Sequence, residues 1–261
     1  MRVSDRIAVN LQDLVVFGPK FLWRHSPRIT GAEFALVSIP GFGEIYLRAG
    51  ASDVDAVRQI FADRQFDMKT RSVADRVMRR YEAIVQSGGV PVIVDAGANI
   101  GAASIWFAKK YPKTYVVAIE PDLDNFRVLS ENARLERRLI PIRAAIGSTD
   151  GFVSVNRSEF GWATQTVRSD SGTPIITMPD AFNMMENGVP FIAKIDIEGF
   201  ESDLFCCNTD WLGDVEVVYI EPHDWLLPGK MTSRSFQRVM GALDFEIYIN
   251  GDCLTYVRSP D

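Results

Sequence analysis

Four β-branched runs in this chain each stop at a carboxylate: Val-Ile-Val-Asp at Asp95, Tyr-Val-Val-Ala-Ile-Glu at Glu120, Ala-Lys-Ile-Asp-Ile-Glu at Asp196 and Glu198, and Val-Glu-Val-Val-Tyr-Ile-Glu at Glu221. Runs of this length and composition predict strands. An open α/β sheet binds its ligand beyond the carboxyl ends of its strands, so the acids are expected to converge on one crevice. The ligand that suits them is cationic and carries hydroxyls.

The first run continues into Asp95-Ala96-Gly97-Ala98-Asn99-Ile100-Gly101, a glycine-bearing turn that lets backbone approach a ligand before a helix begins. Nicotinamide dinucleotide folds also use a glycine turn with an acid about 20 residues on, but they favour G-x-G-x-x-G, whose amides hold a diphosphate. Here Asp95 precedes the turn and Asn99 stands where a further glycine is expected. A carboxylate repels a diphosphate and attracts an ammonium or sulfonium. The turn residues Asp95, Ala96, Gly97, Ala98, Asn99 and Gly101 are therefore read as binding S-adenosyl-L-methionine. Glu120, ending the next strand before Pro121, is placed to accept both ribose hydroxyls through its two oxygens. Pro121 and Asp122 also make a good helix start. Ala145 and Ile146, read as ending the third strand, are placed to flank the adenine, although core packing explains them equally.

Methyl transfer from a sulfonium is an in-line displacement in which the protein aligns the acceptor and removes its proton. The bases in reach are His223, Glu221 and Asp196, each read at a strand end facing the donor. His223 titrates near neutral pH and is one of two histidines, the other being His25. Lys194 either polarises an acceptor oxygen or pairs with a neighbouring acid. Glu198 and Glu201 sit near a helix start, where acids are favoured whatever their function. Asp196, Glu198, Glu221, His223 and Asp224 make an oxygen-rich set of the kind that holds a divalent cation, yet they show no tight ligand spacing, and no metal is expected. Trp162, Thr164 and Trp225 are read as lining an acceptor pocket, with ordinary packing as the alternative.

The elements that must carry these residues are legible as a pattern. From Pro91 onward apolar strands alternate with helical segments, which calls for a mostly parallel sheet covered by helices on both faces. Ala-Ser-Ile-Trp-Phe-Ala-Lys-Lys-Tyr, Asp-Leu-Asp-Asn-Phe-Arg-Val-Leu-Ser-Glu-Asn-Ala-Arg-Leu and Glu-Ser-Asp-Leu-Phe-Cys-Cys-Asn-Thr-Asp-Trp-Leu are read as the helices. Asp-Phe-Glu-Ile-Tyr-Ile-Asn and Cys-Leu-Thr-Tyr-Val-Arg-Ser flank Gly251-Asp252 as a C-terminal hairpin. Before this unit, residues 1–89 form an N-terminal α+β extension. A hairpin turns at Gly41-Phe42-Gly43, Ser52 and Asp55 resemble a capping box opening a helix with Val54, Val57, Ile60 and Phe61 on one face, and a second helix runs from Val73 to Val85 and stops at Gly88-Gly89. The extension is expected to pack over the mouth of the crevice in front of residues 90–261.

The chain has 261 residues, 47% of them hydrophobic, and a net charge of −6. This is ordinary for one globular unit with an appendage. The basic residues from Arg64 to Arg80 interleave with Asp63, Asp67, Asp75 and Glu82, as on a solvated helix face, and no basic face for nucleic acid is apparent. Three cysteines without C-x-x-C spacing suit a reducing cytoplasm. No signal peptide or membrane span is read, and nothing in the sequence specifies an oligomeric state.

Asp95 to Gly101, Ala118-Ile-Glu-Pro121, Asn132, Ala145-Ile-Gly147 and above all Lys194-Ile-Asp-Ile-Glu-Gly-Phe-Glu201 resemble the FkbM family of S-adenosylmethionine-dependent methyltransferases, over about residues 45–225. The resemblance implies a class I methyltransferase fold: an α/β Rossmann-like sheet, mostly parallel, closed by the antiparallel hairpin. It also implies O-methylation of a hydroxyl on a sugar, glycolipid or natural-product scaffold. Glu221-Pro-His-Asp224 departs from the simple acid with which that family often ends the later strand. The competing readings are a nicotinamide oxidoreductase, which lacks an obvious Tyr-x-x-x-Lys pair here, and a catalytically silent module that keeps the cofactor fold. No Asn/Asp-Pro-Pro-Tyr motif of base methylation is present.

Overall fold

The computed structural model describes residues 3–157 and 164–260. Helix α1 (Val3–Phe17), a 3₁₀ turn (Pro19–His25) and α2 (Ser26–Thr30) precede the hairpin of β1 (Ala35–Ile39) and β2 (Gly43–Leu47). The hairpin pairs antiparallel from Ala35–Leu47 to Ile39–Gly43. Its inward positions, Ala35, Val37, Ile39, Ile45 and Leu47, alternate as a pleat requires and are buried.

The capping box expected at Ser52 does not form. Ser52 has helical backbone angles and its hydroxyl caps nothing. Instead the fully buried Asp53 accepts from the Arg48 backbone amide at 2.7 Å and from its guanidinium at 2.7 and 3.1 Å. The short α3 (Asp53–Val57) then widens into a π-turn (Arg58–Ala62) rather than continuing as one helix, which still buries Val57, Ile60 and Phe61. Helix α4 (Arg71–Gln86) buries Val73, Val77, Tyr81 and Ile84 on one stripe, as its 3.6-residue periodicity predicts.

The main sheet begins with β3 (Val90–Ala96), followed by α5 (Ala102–Lys110), β4 (Tyr115–Ile119), α6 (Leu123–Leu135) and β5 (Leu139–Ile142). The chain then leaves this sheet to build a second, four-stranded one from β6 (Ala145–Gly147), β7 (Gly151–Arg157), β8 (Thr164–Ser169) and β9 (Thr173–Thr177). Helix α7 (Met178–Phe182) leads back to β10 (Gly188–Ile195), α8 (Glu201–Leu204), β11 (Val217–Ile220), α9 (Arg234–Met240) and the hairpin of β12 (Phe245–Asn250) and β13 (Cys253–Arg258). The main sheet runs β12-β13-β11-β10-β3-β4-β5. The pairs among β11, β10, β3, β4 and β5 are parallel, and β13 is antiparallel to both of its neighbours. This is the expected mostly parallel sheet with a terminal hairpin.

The sheet divides the core in two. Ile93 of β3 faces a cluster with α4, α5 and the N-terminal hairpin, while Val92, Val94 and Ala96 face one with α7, α8 and α9. With both faces covered, the inner parallel strands are apolar except for Asp95 and Lys194 near their carboxyl ends. The helix expected after the Lys194–Glu198 strand is a single turn, α8. Asn208 adopts a left-handed conformation (φ 55°), and its side chain donates to the Ser148 carbonyl at 2.9 Å, turning the chain away. Among the described residues no helix is long and apolar enough to cross a membrane.

Candidate functional site

Asp95 sits near the carboxyl end of β3 and is completely buried. Its Oδ2 accepts from Ser104 Oγ at 2.6 Å and its Oδ1 lies 3.0 Å from Lys194 Nζ. Lys194 is its register partner on β10. The ammonium also donates to the Gly97 carbonyl at 2.7 Å and stands 3.5 Å from Asp196 Oδ2. Burial works against the charge of Lys194, but Asp95 and Asp196 outweigh it and hold its pKa above the ordinary value. Of these contacts the one to the Gly97 carbonyl is a hydrogen bond, the two carboxylates meet the ammonium as charges, and the buried Asp95 Oδ1 has no hydrogen-bond partner. The pairing of Lys194 with a neighbouring acid, one of its two expected roles, is present, and the pair joins the end of β3 to β10 beside the turn.

The turn is held by backbone. Gly97 (φ 79°) would bring a Cβ within 1.8 Å of the Asp196 carbonyl oxygen, and a Cβ on Gly101 (φ 84°) would meet Leu129 Cδ1 at 2.7 Å. The glycines are therefore required by the approach of protein to protein. The Gly97 and Ala98 amides both donate to the Ile119 carbonyl, at 3.0 and 2.9 Å. Asn99 is left-handed (φ 50°), and its buried Oδ1 has no hydrogen-bond partner.

Glu120, at the end of β4, accepts from the Asn99 amide at 2.8 Å through Oε2 and from the Asp122 amide at 2.9 Å through Oε1. Burial raises its carboxyl to about 7, against the pull of these two amides. The carboxylate thus orders the turn, with Asn125 Nδ2 also at 3.5 Å from Oε1. Asp122 caps α6 through the Asp124 and Asn125 amides, so the helix-start reading of Pro121-Asp122 holds as well. Ala145 is displaced from its expected place. The third strand of the main sheet is β5, ending at Ile142, and Ala145 belongs to the second sheet, packed with Val153, Ile175 and Phe200.

Asp196, Glu221 and His223 come together beyond β10 and β11, with one ligand-type atom of each within 4.8 Å of the others. His223 is buried; its Nδ1 lies 2.8 Å from Glu201 Oε1 and its Nε2 3.5 Å from Asp196 Oδ1. Burial lowers the imidazolium pKa, but the Glu201 hydrogen bond and the charges of Asp196, Glu201 and Glu221 overcome this and raise it to about 9. Burial, reinforced by Asp196, raises Glu221 to about 7. At neutral pH His223 is protonated and Glu221 is near half-ionised, so of the expected bases Glu221 is the better poised.

Asp224 faces elsewhere, accepting from Thr232 Oγ1 and the Ser233 amide, both at 3.1 Å. Trp225 is exposed, with its ring centroid 6.2 Å from that of His223. Trp162 and the side chain of Thr164 lie outside the described residues. Glu201 as the partner of His223 escaped the sequence reading, because 22 residues separate them and no spacing links them. Arg48 escaped it too; its guanidinium donates to Asn125 Oδ1 at 2.8 Å, and Asn125 Nδ2 lies 3.5 Å from Glu120 Oε1.

No family model matches the chain. Hexuronic acid methyltransferase AglP of Haloferax volcanii is 30% identical over 145 residues, spanning 54% of this chain and 59% of AglP. Methyltransferase sdnD of Sordaria araneosa is 44% identical over 54 residues, 21% of each chain. Both of these curated relatives are methyltransferases. The chain spans less than two thirds of the length of either of these curated relatives. Among solved structures it is similar to the methyltransferase FkbM from Methylobacillus flagellatus (17% identity, TM-score 0.43, covering 63% of this chain and 42% of that one). It is also similar to an O-methyltransferase structure from Klebsiella pneumoniae (12% identity, TM-score 0.40, covering 92% and 99%).

Proposed function

We propose that this protein is an S-adenosyl-L-methionine-dependent O-methyltransferase acting on a hydroxyl of a sugar, glycolipid or natural-product scaffold. The observation that carries this reading is the antiparallel β13 lying between β11 and β12. A dinucleotide-binding sheet of order 3-2-1-4-5-6 has no such strand. The curated relatives are methyltransferases, one of them acting on a hexuronic acid.

The residues fit the donor by their chemistry. Glu120 offers acceptor lone pairs for a ribose diol, and the buried unpartnered Oδ1 of Asn99 offers one more. Ala96, Gly97, Ala98 and Gly101 form the backbone wall, with Pro121 bounding the far side. The bound cofactor supplies an electrophilic methyl group on a sulfonium. Glu221 takes the acceptor proton, Asp196 and His223 set its charge environment, and the exposed Trp225 offers a face to the acceptor. Lys194 acts through Asp95 and Gly97 as a positioning residue. Residues 1–89 reach the donor side of residues 90–261 through Arg48 and Asn125. The free thiols of Cys206, Cys207 and Cys253 suit a cytoplasmic setting.

Calorimetric titration with S-adenosylhomocysteine, with NAD as the comparison and Glu120→Ala as the control, tests the reading. Binding of S-adenosylhomocysteine that weakens by about 1–3 kcal/mol in the variant is expected. Binding of NAD alone would overturn it. Methyl transfer to hydroxylated acceptors then separates an enzyme from a silent scaffold.

A further inference from the structure

We infer that Asp196, Glu221 and His223 form a binding site for a divalent cation of the nitrogen- and oxygen-accepting kind, such as Mn²⁺ or Fe²⁺.

Two carboxylates and one imidazole present ligand atoms within 4.8 Å of one another. Around a cation with bonds of about 2.1 Å, neighbouring ligands stand about 3.0 Å apart and opposite ones about 4.2 Å. A separation of up to 4.8 Å is wider than either, so a bound cation would draw the three side chains inward. Three protein ligands leave open positions for oxygens of another molecule.

A second observation concerns the histidine alone. A carboxylate only accepts, so Nδ1 of His223 carries the proton it gives to Glu201, at 2.8 Å. Nε2 is turned to Asp196, whose Oδ1 at 3.5 Å is beyond normal hydrogen-bond length. His223 is 4% exposed and Glu201 is fully buried. A buried imidazole whose Nδ1 is locked to a carboxylate has the arrangement of a metal-ligating histidine with its supporting acid, and a cation at Nε2 would displace the proton that the neighbouring acids hold there. The donor set also selects. One nitrogen with two carboxylates departs from the all-oxygen shell of Ca²⁺ and lacks the thiolates of a structural zinc site.

The role of such a cation rests on the methyltransferase reading: its open positions would hold the acceptor's oxygens. Glu221 has a second oxygen, which remains for the acceptor proton.

Titration of the purified full chain with Mn²⁺, followed by electron paramagnetic resonance, tests the site without turnover. The expected result is loss of the free-ion signal at one equivalent, with imidazole nitrogen coupling in the bound spectrum. Retention should be about tenfold weaker or worse in Glu221→Gln and His223→Gln. Should those variants lose their circular dichroism, the nitrogen coupling of the wild type decides alone. Persistence of the free-ion signal at millimolar Mn²⁺, or bound ion without nitrogen coupling, overturns the site. Mn²⁺ binding in a chain that ignores S-adenosylhomocysteine would uphold the site and refute the donor reading.

Discussion

Lys194 and Asp95 face each other as register partners on adjacent parallel strands, their charged atoms 3.0 Å apart and both side chains buried. The pair stands at the end of the strand from which the glycine turn departs, and Lys194 also holds the Gly97 carbonyl. Removing one member strands the other as a buried charge. Lys194→Met is expected to lower the unfolding free energy by about 3–5 kcal/mol, and Asp95→Asn combined with Lys194→Met to recover part of that loss. Urea unfolding of the two singles and the double measures the coupling. Additive losses would show that the pair is not a unit.

Asn132 ties the N-terminal hairpin to the turn. Its Oδ1 accepts from the Tyr46 amide at 2.7 Å, and its Nδ2 donates to the Tyr46 carbonyl at 3.2 Å and the Ile100 carbonyl at 2.8 Å. Asn132→Ala leaves buried backbone groups unpaired. A loss of about 2–4 kcal/mol follows, with faster hydrogen exchange at the Tyr46 amide. An unchanged exchange rate there would show that the hairpin is held by its apolar contacts alone.

Glu120 should make stability and cofactor affinity depend oppositely on pH. Its folded carboxyl is raised to about 7 from an unfolded 4.5, so its contribution to stability is complete below 4.5 and is lost as pH rises through 7. Glu120→Gln removes that slope. Relative to wild type, the variant should be more stable at pH 8 than at pH 5 in urea unfolding. Because the ionised form accepts hydroxyls best, S-adenosylhomocysteine affinity in the wild type should rise several-fold from pH 6 to 8 and be flat in the variant. Parallel slopes in both proteins would remove Glu120 as the titrating group.

Gly97→Ala places a methyl group where the Asp196 carbonyl oxygen stands, at a backbone angle that L residues rarely adopt. A destabilisation of about 2 kcal/mol or more is expected from the conformation and the overlap together. Gly213→Ala, whose Cβ meets nothing, is the comparison. Equal melting temperatures for the two variants would contradict the tight approach of β10 to the turn.

The strands were legible in the sequence because a sheet buried on both faces demands unbroken β-branched runs, and VIVD, YVVAI, AKI and VVYI carry that demand locally. The glycine turn, α4, α6 and both hairpins were legible for the same reason: periodicity, caps and turn residues act over a few positions. What the acids do was decided by tertiary structure. Asp95 and Glu120 end similar strands, yet one is neutralised by Lys194 and the other meets only amides. Nothing near either in the chain encodes that difference. Ala145 shows the same limit, since its apolar run suits either sheet and only the turn after Ile142 assigns it to the second. Glu201 and His223 are joined across 22 residues, and Asp196, Glu221 and His223 assemble only because β10 and β11 lie side by side. The sequence by itself determined which residues form strands and which stand at their ends, because burial and turn chemistry are local. The tertiary structure alone decided which carboxylates are paired, enclosed or left open, because charge and hydrogen bonding depend on neighbours that the chain order does not reveal.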